Sequence, residues 1–476
     1  MRRIALTCCF IMGVLSSYAT IVLPNVFAHH MVLQREQPVA IFGQAHPGER
    51  ITVRFQGQSK RTSADAEGNW KLWLSPMKAN AAGADLIIAG ENTIVLRDVL
   101  VGEVWICSGQ SNMEYQMRKL VKLSPPKNGT YFPKDEVKNA RNTQIRLFLV
   151  RRKFLAKPDG TYTGWSIAQD SALRQFSAAG YFFAKSLQQE LQVPVGIISS
   201  AVSGSRIEPW IPKEALDREP YFRGRKLEGD PGKFFETMIA PLAPYTIKGF
   251  LWYQGETNVF LQETISYTHK LKTLIESWRE GWGTEKLPFY FTQIAPFQYS
   301  VDEQGKTRMP RTTLPEFREA QDLVLQVKHT GRIATTDLVD HVHDLHPSYK
   351  WEIGRRLALQ ALKKTYHRSI EADGPTYKYF KRKGNSASIF FVHAAGLQTR
   401  DGQSPTGFEV AGTDRIFYPA SARIQGQTVV VTAPQVETVA FVRFAWDEAA
   451  QPNLVNAAGL PALPFRSTNP HKKLKR

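Results

Sequence analysis

Short runs of alternating apolar and polar residues extend from Leu23 to about Arg97. The runs are VAIFG, ERITVRFQG, NWKLWL, ADLIIAG and NTIVLRD, and the turn-forming sequences HPGE, DAEGN and AGEN separate several of them. Alternation with a period of two, bounded by Gly, Pro, Asn and Asp, is typical of antiparallel strands. The pattern therefore predicts a small β domain over residues 20–98.

The pattern changes after Val99, where short apolar runs alternate with amphipathic helices. The runs are VWIC, VPVGIIS, KGFLWYQ, LPFYFTQI and GRIATTD, and between them Phe183, Leu187 and Leu191 recur every four residues along one helix. Apolar strands that alternate with such helices indicate a parallel sheet covered on both faces. We therefore predict an α/β fold for residues 99–366, with a three-layer α/β/α arrangement.

Two further segments complete the predicted organisation. Residues 119–175 are rich in Lys, Pro and Gly, and we interpret them as a long insertion over one end of the sheet. Residues 367–476 return to strand-like runs: SASIFFVH, GFEVAG, QTVVVTAP and AFVRFAW. The N-terminal and C-terminal β segments are both expected to be sandwich-like.

The N-terminus is predicted to be a secretory signal peptide covering residues 1–19. Arg2 and Arg3 precede an apolar stretch over residues 4–15, and Ser17 and Ala19 occupy the small positions of a cleavage site. The apolar stretch is shorter than the ~20 residues of a membrane span, which disfavours an anchor. We expect a periplasmic or secreted protein with no transmembrane segment in the mature chain.

Composition narrows the class of protein. Of the 476 residues, 42% are hydrophobic and 22% are charged, which is typical of a globular protein with a large core. Only Cys107 follows the predicted leader, so the mature chain cannot form an internal disulfide. Because Cys107 lies inside the apolar run VWIC, we expect a buried thiol.

The net charge of +18 favours acidic partners such as an anionic surface or an acidic glycan. The Lys and Arg residues are scattered, and no nucleic-acid-binding motif accompanies them, so nucleic acid is not an expected partner. A basic surface that is simply solvated is the alternative interpretation.

A serine follows the first apolar run of the α/β region, in the sequence EVWICSGQSNM. Ser111 is thereby placed at the carboxyl edge of the sheet, where open α/β folds bind ligands, and at the start of a helix. Unpaired N–H groups at a helix start suit a developing oxyanion, although an ordinary helix cap has the same geometry.

A loop rich in histidine follows the last predicted strand: TTDLVDHVHDLHPSYK. His346 could reach Ser111 and act as a general base, because both loops open at the same edge of the sheet. The rival hypothesis is a zinc hydrolase that uses His341, His343 and His346, since clustered imidazoles bind zinc and activate water.

Two more loops carry candidate chemistry. In LWYQGETN, the amide of Gln254 could donate to an oxyanion, while Glu256 is expected to hold loop backbone. In SAVSGSRIEPW, Gly204 would allow a backbone N–H to approach a ligand closely.

These blocks, in this order, resemble the SGNH (GDSL-like) hydrolases, and specifically the sialate O-acetylesterase family of carbohydrate esterases. VGEVWICSGQSNME carries the most specific similarity, and WYQGETN, DLHPSYKWEIGRRLA and PNLVNAAGLPALPFRS resemble further blocks of that family. The resemblance covers nearly the whole mature chain.

The resemblance implies a Ser–His mechanism that removes acetyl groups from sugar hydroxyls through an acetyl-enzyme, without a metal or an organic cofactor. It makes Ser111 the nucleophile and His346 the base. It also implies an oxyanion hole made of the N–H groups of Ser111 and Gly204 and the side chain of Gln254. Asn112 and Glu256 are further candidates for the oxyanion hole or for binding substrate.

The third member of the triad is left open by the sequence. Asp344 matches the D-x-H-P form of the family, but Asp340 or a backbone carbonyl could orient His346 instead. The second block also has Ser203–Gly204 in place of the usual pair of glycines.

The expected partner is an acetylated carbohydrate. Arg206 could pair with the carboxylate of sialic acid, whereas acetylated xylan or another plant polysaccharide is the alternative substrate. A non-catalytic glycan-binding protein is the remaining alternative, and the intact Ser, Gln and His blocks count against it.

Overall fold

The computed structural model of the protein describes residues 21–123, 125, 131–150 and 164–468, so the predicted signal peptide lies outside the described residues. Within these residues, no helix is both long enough and apolar enough to cross a membrane.

The strands occur in two β-rich regions and in the intervening α/β region. They are β1 (Val32–Gln34), β2 (Val39–Gln44), β3 (Arg50–Phe55), β4 (Gln58–Ser63), β5 (Asn69–Leu74), β6 (Asn80–Ala89), β7 (Thr93–Gly109), β8 (Asn142–Leu149), β9 (Trp165–Ala168), β10 (Val195–Ala201), β11 (Gly249–Tyr253), β12 (Phe289–Thr292), β13 (Thr330–Ile333), β14 (Thr376–Lys383), β15 (Ser386–Val392), β16 (Gln398–Thr399), β17 (Phe408–Ala411), β18 (Phe417–Pro419), β19 (Ser421–Gln425), β20 (Thr428–Thr432), β21 (Phe441–Phe444), β22 (Leu454–Val455) and β23 (Phe465–Arg466).

The described α-helices all lie between β7 and β14. They are α1 (Ser111–Glu114), α2 (Glu136–Asn139), α3 (Asp170–Gln175), α4 (Ala178–Leu191), α5 (Lys213–Arg218), α6 (Glu256–Phe260), α7 (Ile265–Gly281), α8 (Thr313–Leu323) and α9 (Lys350–Lys364). Short 3-10 segments cover Met117–Lys122, Glu208–Trp210, Pro220–Phe222, Ala240–Leu242 and Val324–Gln326, and a π-helical turn covers Phe235–Ile239.

The central sheet has the strand order β13-β12-β11-β7-β10-β8-β9. Neighbouring strands in this order are parallel, except that β9 runs antiparallel to β8 at the edge. Every residue of β11 and β12 is buried, as is expected of strands covered on both faces. The predicted α/β fold class is confirmed.

Helices cover the two faces of this sheet. Trp105 of β7 packs on Phe183 of α4, with ring centroids 5.2 Å apart. Trp252 of β11 packs on Trp278 of α7, with centroids 5.7 Å apart. Trp252 lies beside Ser108, three residues along β7 from Trp105, so the two tryptophans point to opposite faces. The three layers are therefore α4 with α9, the sheet, and α7 with α8.

Strand β7 joins the N-terminal β region to the central sheet. Its first half pairs with β6 and β1, and its residues from Glu103 to Gly109 pair with β10. The boundary predicted between residues 98 and 99 therefore falls inside one continuous strand. The Glu103 carboxylate accepts hydrogen bonds from Gln34 at 2.9 Å and from Arg35 at 2.5 Å, which fastens the two regions where the strand crosses between them.

Two polar stretches contain strands that the sequence pattern did not predict. Strand β4 has the sequence QSKRTS and pairs with β3, but it has no apolar side from which alternation could be detected. Residues 119–175, interpreted as an insertion over one end of the sheet, contain β8 and β9, which extend the sheet itself. Part of this stretch lies outside the described residues. The apolar run IRLFLV is short and flanked by charged residues, which obscured β8.

The C-terminal region contains two four-stranded sheets, β14-β15-β20-β19 and β18-β17-β21-β23, with a separate hydrophobic core. Ion pairs attach it to the α/β region. Arg466 contacts Glu319 of α8 at 2.6 Å, and Arg311 contacts Asp447 at 2.6 Å. Both contacts lie on the side of the molecule that carries α8.

Candidate active site

Three parallel strands end level with one another at the carboxyl edge of the central sheet. Gly109 of β7 pairs with Tyr253 of β11 on one side and with Ala201 of β10 on the other. Gly109 has a φ of +142°, and a Cβ atom there would lie 2.1 Å from the Tyr253 carbonyl oxygen. The chain turns at this glycine, and the loops that follow the three strands therefore meet at one place.

The loop after β7 brings Ser111 to His346, which comes from the loop between β13 and α9. The Ser111 Oγ and His346 Nε2 atoms are 2.8 Å apart, which is hydrogen-bonding distance. Both residues are partly buried. The structure thus brings together the two residues predicted as nucleophile and base, although they are separated by 235 positions in the chain.

The environment of His346 favours a neutral imidazole. Burial lowers the pKa of His346 below its ordinary value, and the positive charges of Lys350 and Lys119 lower it further. The negative charge of Asp344 acts in the opposite direction. A neutral ring can accept the serine proton, and a nearby carboxylate stabilises the imidazolium that then forms.

Asp344 and Asp340, the candidates for the third triad member, form hydrogen bonds with groups other than the His346 ring. The Asp344 Oδ1 accepts the backbone N–H of His346 at 2.8 Å, and the Asp340 Oδ1 accepts the Tyr349 hydroxyl at 2.6 Å. Across the described chain, no hydrogen bond from the His346 Nδ1 is observed. Asp344 therefore fixes the backbone of His346 and acts on the ring through its charge.

Asn112, the residue after the serine, connects the elements of the site. Its Nδ2 donates to the Glu256 Oε1 at 2.5 Å and to the Leu345 carbonyl oxygen at 3.0 Å, and its Oδ1 accepts from the Lys350 Nζ at 2.8 Å. Lys350 also donates to the Pro347 carbonyl oxygen. The two carbonyl groups on either side of His346 are therefore held by Asn112 and Lys350.

Lys350 and Glu256 are both fully buried, and their charges are coupled. Burial lowers the pKa of Lys350 to about 7, while the charge of Glu256 opposes this change. Burial raises the pKa of Glu256, and the hydrogen bond from Asn112 opposes that. The Lys350 Nζ lies 4.8 Å from the ring centroid of Tyr115, so an aromatic face also contributes to its stabilisation.

Gln254, predicted to donate to an oxyanion, contacts buried groups of the protein. Its Nε2 lies 3.0 Å from the Gln110 Oε1, 3.1 Å from the Ser205 carbonyl oxygen and 2.7 Å from the Asn258 Oδ1. Its Oε1 accepts the Tyr267 hydroxyl at 2.9 Å. Because the side chain is fully buried and must satisfy buried acceptors, its N–H groups are engaged within the protein rather than offered to an oxyanion.

Gly204 lies in the loop after β10 and is exposed. Its φ is +71°, and a Cβ atom there would meet no atom within 4 Å, so the surrounding space is open. Glu114 of α1 accepts the Ser203 N–H at 2.7 Å and the Ser203 hydroxyl at 2.5 Å. Within the described chain, no acceptor is observed for the N–H of Ser111 or Gly204, and both are available to a ligand.

Arg206, His341 and His343 were also predicted as candidate site residues, and none of them is hydrogen-bonded to Ser111 or His346 in the described chain. The Arg206 guanidinium is partly exposed and lies 3.9 Å from the Glu228 carboxylate, a long contact that leaves it accessible. His341 and His343 are exposed. In the described chain, the ring nitrogens of these two and His346 do not converge as a metal-binding group. The geometry therefore does not support the zinc hypothesis for this loop.

Cys107 lies on β7, four residues before Ser111, and is buried in the core as predicted. It is fully buried and unpaired, and burial raises the pKa of its thiol to about 12. A thiol with this environment is not a nucleophile.

Sequence reasoning missed Lys350 and Glu114. A lysine or glutamate next to polar residues looks like an ordinary surface residue, and burial is what distinguishes Lys350. The available signal was position: Glu114 belongs to the GQSNME block and Lys350 to the HPSYK block, so each lies within four residues of a predicted catalytic residue.

The chain is similar to known carbohydrate esterases over most of its length. A family model described as "Carbohydrate esterase, sialic acid-specific acetylesterase" matches residues 101–363. The sialate O-acetylesterases of Rattus norvegicus and Homo sapiens are each 26% identical, covering 93% and 91% of this chain and 94% and 90% of their own lengths. The crystal structure of a carbohydrate acetylesterase from Xanthomonas citri is 33% identical, covers 94% of this chain and 99% of that one, and has a TM-score of 0.82.

Replacement of Lys350 by Met tests its connection to His346. Loss of the ammonium removes the hydrogen bonds to Asn112 and to the Pro347 carbonyl oxygen that position His346, so we expect esterase kcat/KM to fall about tenfold. With a pKa of about 7, Lys350 is charged below neutrality, and its removal should raise the pKa of His346. The acid limb of the kcat/KM profile should therefore move to higher pH.

Lys119→Met is the matched control, because Lys119 is exposed and its charge has the smaller effect on His346. It should shift the acid limb less and leave the plateau of kcat/KM nearly unchanged. A Lys350→Met enzyme with an unshifted profile would show that the ammonium does not influence the histidine.

Proposed function

We propose that Ser111 and His346 carry out the hydrolysis of sugar acetyl esters by this protein. The chain belongs to the sialic acid-specific acetylesterase family of carbohydrate esterases. The protein is a carbohydrate O-acetylesterase. The observation that carries the proposed residue roles is the 2.8 Å contact between the Ser111 Oγ and the His346 Nε2 at the edge of the sheet.

The first half-reaction forms an acetyl-enzyme. The Ser111 Oγ attacks the acetyl carbonyl carbon while the His346 Nε2 takes the hydroxyl proton. The bond from carbon to the sugar oxygen then breaks, and His346 returns the proton to that oxygen, which releases the deacetylated sugar. The N–H groups of Ser111 and Gly204 stabilise the oxyanion, since both lack a partner in the described chain.

The second half-reaction regenerates the enzyme. His346 takes a proton from water as the water oxygen attacks the acetyl carbon, and the proton returns to the Ser111 Oγ as acetate leaves. The negative charge of Asp344 stabilises the imidazolium during both steps, in agreement with its effect on the pKa of His346. Asn112 and Lys350 hold the backbone on either side of the histidine throughout.

We propose O-acetylated sialic acid as the substrate. The curated relatives are sialate O-acetylesterases, and the net charge of +18 would attract an acidic sugar. Arg206, two residues after Gly204, is the cation that we assign to the sialic acid carboxylate, because its contact with Glu228 is long enough to be exchanged for a ligand.

We also propose that the chain is exported to the periplasm or secreted. The two arginines, the apolar stretch over residues 4–15 and the small residues Ser17 and Ala19 support cleavage after Ala19.

Ser111→Ala and His346→Ala should each reduce acetate release from O-acetylated sialic acid by at least about 10³-fold, because each removes half of the proton-transfer pair. His343→Ala is the control, since it removes an exposed histidine from the same loop. It should retain near-normal activity, with or without a chelator. Full activity of Ser111→Ala, or loss of activity in the control and in chelator, would contradict the mechanism.

Arg206→Gln should raise KM for O-acetylated sialic acid about tenfold, as expected for loss of one charge-assisted hydrogen bond worth roughly 1.5 kcal/mol. Kinetics on neutral acetylated xylan should not change. Arg223→Gln removes an exposed arginine directly after the 3-10 segment Pro220–Phe222 and should change neither substrate's KM. An equal loss on both substrates would refute pairing of Arg206 with the carboxylate.

Export is checked by expressing the full chain in a bacterial host and measuring the intact mass of the protein in each cell fraction. We expect a protein that begins at Thr20 in the periplasm or medium, and an unprocessed cytoplasmic protein when residues 2–15 are deleted. Recovery of the full chain only as an uncleaved cytoplasmic protein would disprove export.

A further inference from the structure

The sheet β14-β15-β20-β19 of the C-terminal region has one face on the core and one in solvent. In β15, Ala387, Ile389 and Phe391 are buried, while Ser388 and Phe390 alternate with them and are partly exposed. The partner strands follow the same alternation. This alternation defines an outer face whose side chains all point away from the core.

The strand register arranges this outer face in rows. Tyr379 lies beside Phe390, then Thr428 and Gln425; Lys381 lies beside Ser388, then Val430 and Arg423; and Lys383 lies beside Ser386, then Thr432 and Ser421. The face therefore combines aromatic rings, three cations and several hydroxyl and amide groups. None of the described residues in these three rows has a carboxylate.

Two aromatic rings lie at one end of the first row. The Tyr379 and Phe390 rings are stacked, with centroids 4.6 Å apart and an interplanar angle of 17°. Tyr379 is 40% exposed, so part of its ring is accessible to a ligand. Stacked rings open to solvent provide a rigid apolar surface of the kind on which a sugar ring or a base can pack.

Cations lie beside the rings. The Lys381 Nζ is 5.7 Å from the centroid of Phe390, and the Nζ of Lys378, the residue at the bulge in β14, is 6.0 Å from the centroid of Tyr379. Lys383 and Arg423 extend the positive charge across the sheet. A ligand that suits this face must therefore offer both flat apolar surfaces and negative charges, and the serines and threonines can bond its hydroxyl groups.

We propose that this outer face binds an anionic polysaccharide, with sugar rings on Tyr379 and Phe390 and sugar carboxylates on the surrounding lysines. A polysaccharide fits better than a nucleic acid because this enzyme acts on carbohydrate, and a chain held on one domain presents its acetyl esters to the active site at a raised local concentration. The inference uses the family activity and does not depend on the roles of Ser111 or Arg206.

The test measures binding of polymers to the Ser111→Ala protein by isothermal titration calorimetry. The probes are polysialic acid, polygalacturonate and polyglutamate, so that carboxylated sugars are compared with a polyanion that has no sugar. Tyr379→Ala should weaken binding of a carboxylated polysaccharide at least about tenfold, as for loss of one aromatic stacking contact, and should leave polyglutamate unaffected. Lys381→Gln combined with Lys383→Gln should weaken binding of both kinds of polymer.

Lys60→Gln combined with Lys71→Gln is the matched control, because it removes the same charge from strands β4 and β5 of the N-terminal region. Each variant is also made with Ser111 intact, and hydrolysis of 4-nitrophenyl acetate should be unchanged, which verifies folding independently of polymer binding. The proposal is overturned if neither polysaccharide binds, if Tyr379→Ala has no effect, or if the control weakens binding as much as the β14 lysine variant. The last two outcomes would indicate a general cationic surface.

Discussion

The site depends on three parallel strands, β10, β7 and β11, that end at the same level of the central sheet. Gly109, Ala201 and Tyr253 are neighbours in one row of hydrogen-bonded strands. Because side chains and loops that follow such a row open at the same edge, residues far apart in the chain are delivered to one place. β7 and β11 can approach each other this closely at Gly109 only because glycine has no Cβ atom. A Cβ atom there would clash with the Tyr253 carbonyl oxygen.

A buried network of hydrogen bonds fixes the positions of the loops that carry Ser111 and His346. Asn112 follows the serine directly, and it is bonded to Glu256, to Lys350 and to the carbonyl group before His346. In a medium of low polarity these bonds are strong and their loss is expensive, so the serine loop and the histidine loop behave as one unit. The charge of Lys350 reaches the imidazole as well, which links the position of the histidine to its pKa.

The two β regions are attached to the catalytic layer in different ways. The N-terminal region shares strand β7 with the central sheet, and Glu103 reinforces the junction through Gln34 and Arg35. The C-terminal region has its own core and is held by ion pairs such as that between Arg466 and Glu319. The N-terminal region is therefore continuous with the catalytic sheet, whereas the C-terminal region packs around its own core.

Local pattern alone was enough for the fold class and for the strands with an apolar side, because periodicity is a property of short stretches. Loop position placed Ser111 and His346 at one edge of the sheet but left a helix cap and a zinc loop open, and the resemblance to the esterase family paired them as nucleophile and base. The polar strand β4, the edge strands β8 and β9, and the continuity of β7 depended on pairing partners that no short stretch contains. The surroundings of Gln254 and Lys350 likewise depended on distant parts of the chain. Whether an amide faces a ligand or a buried acceptor, and whether a lysine is solvated or enclosed, is decided by what the other parts of the chain place around it.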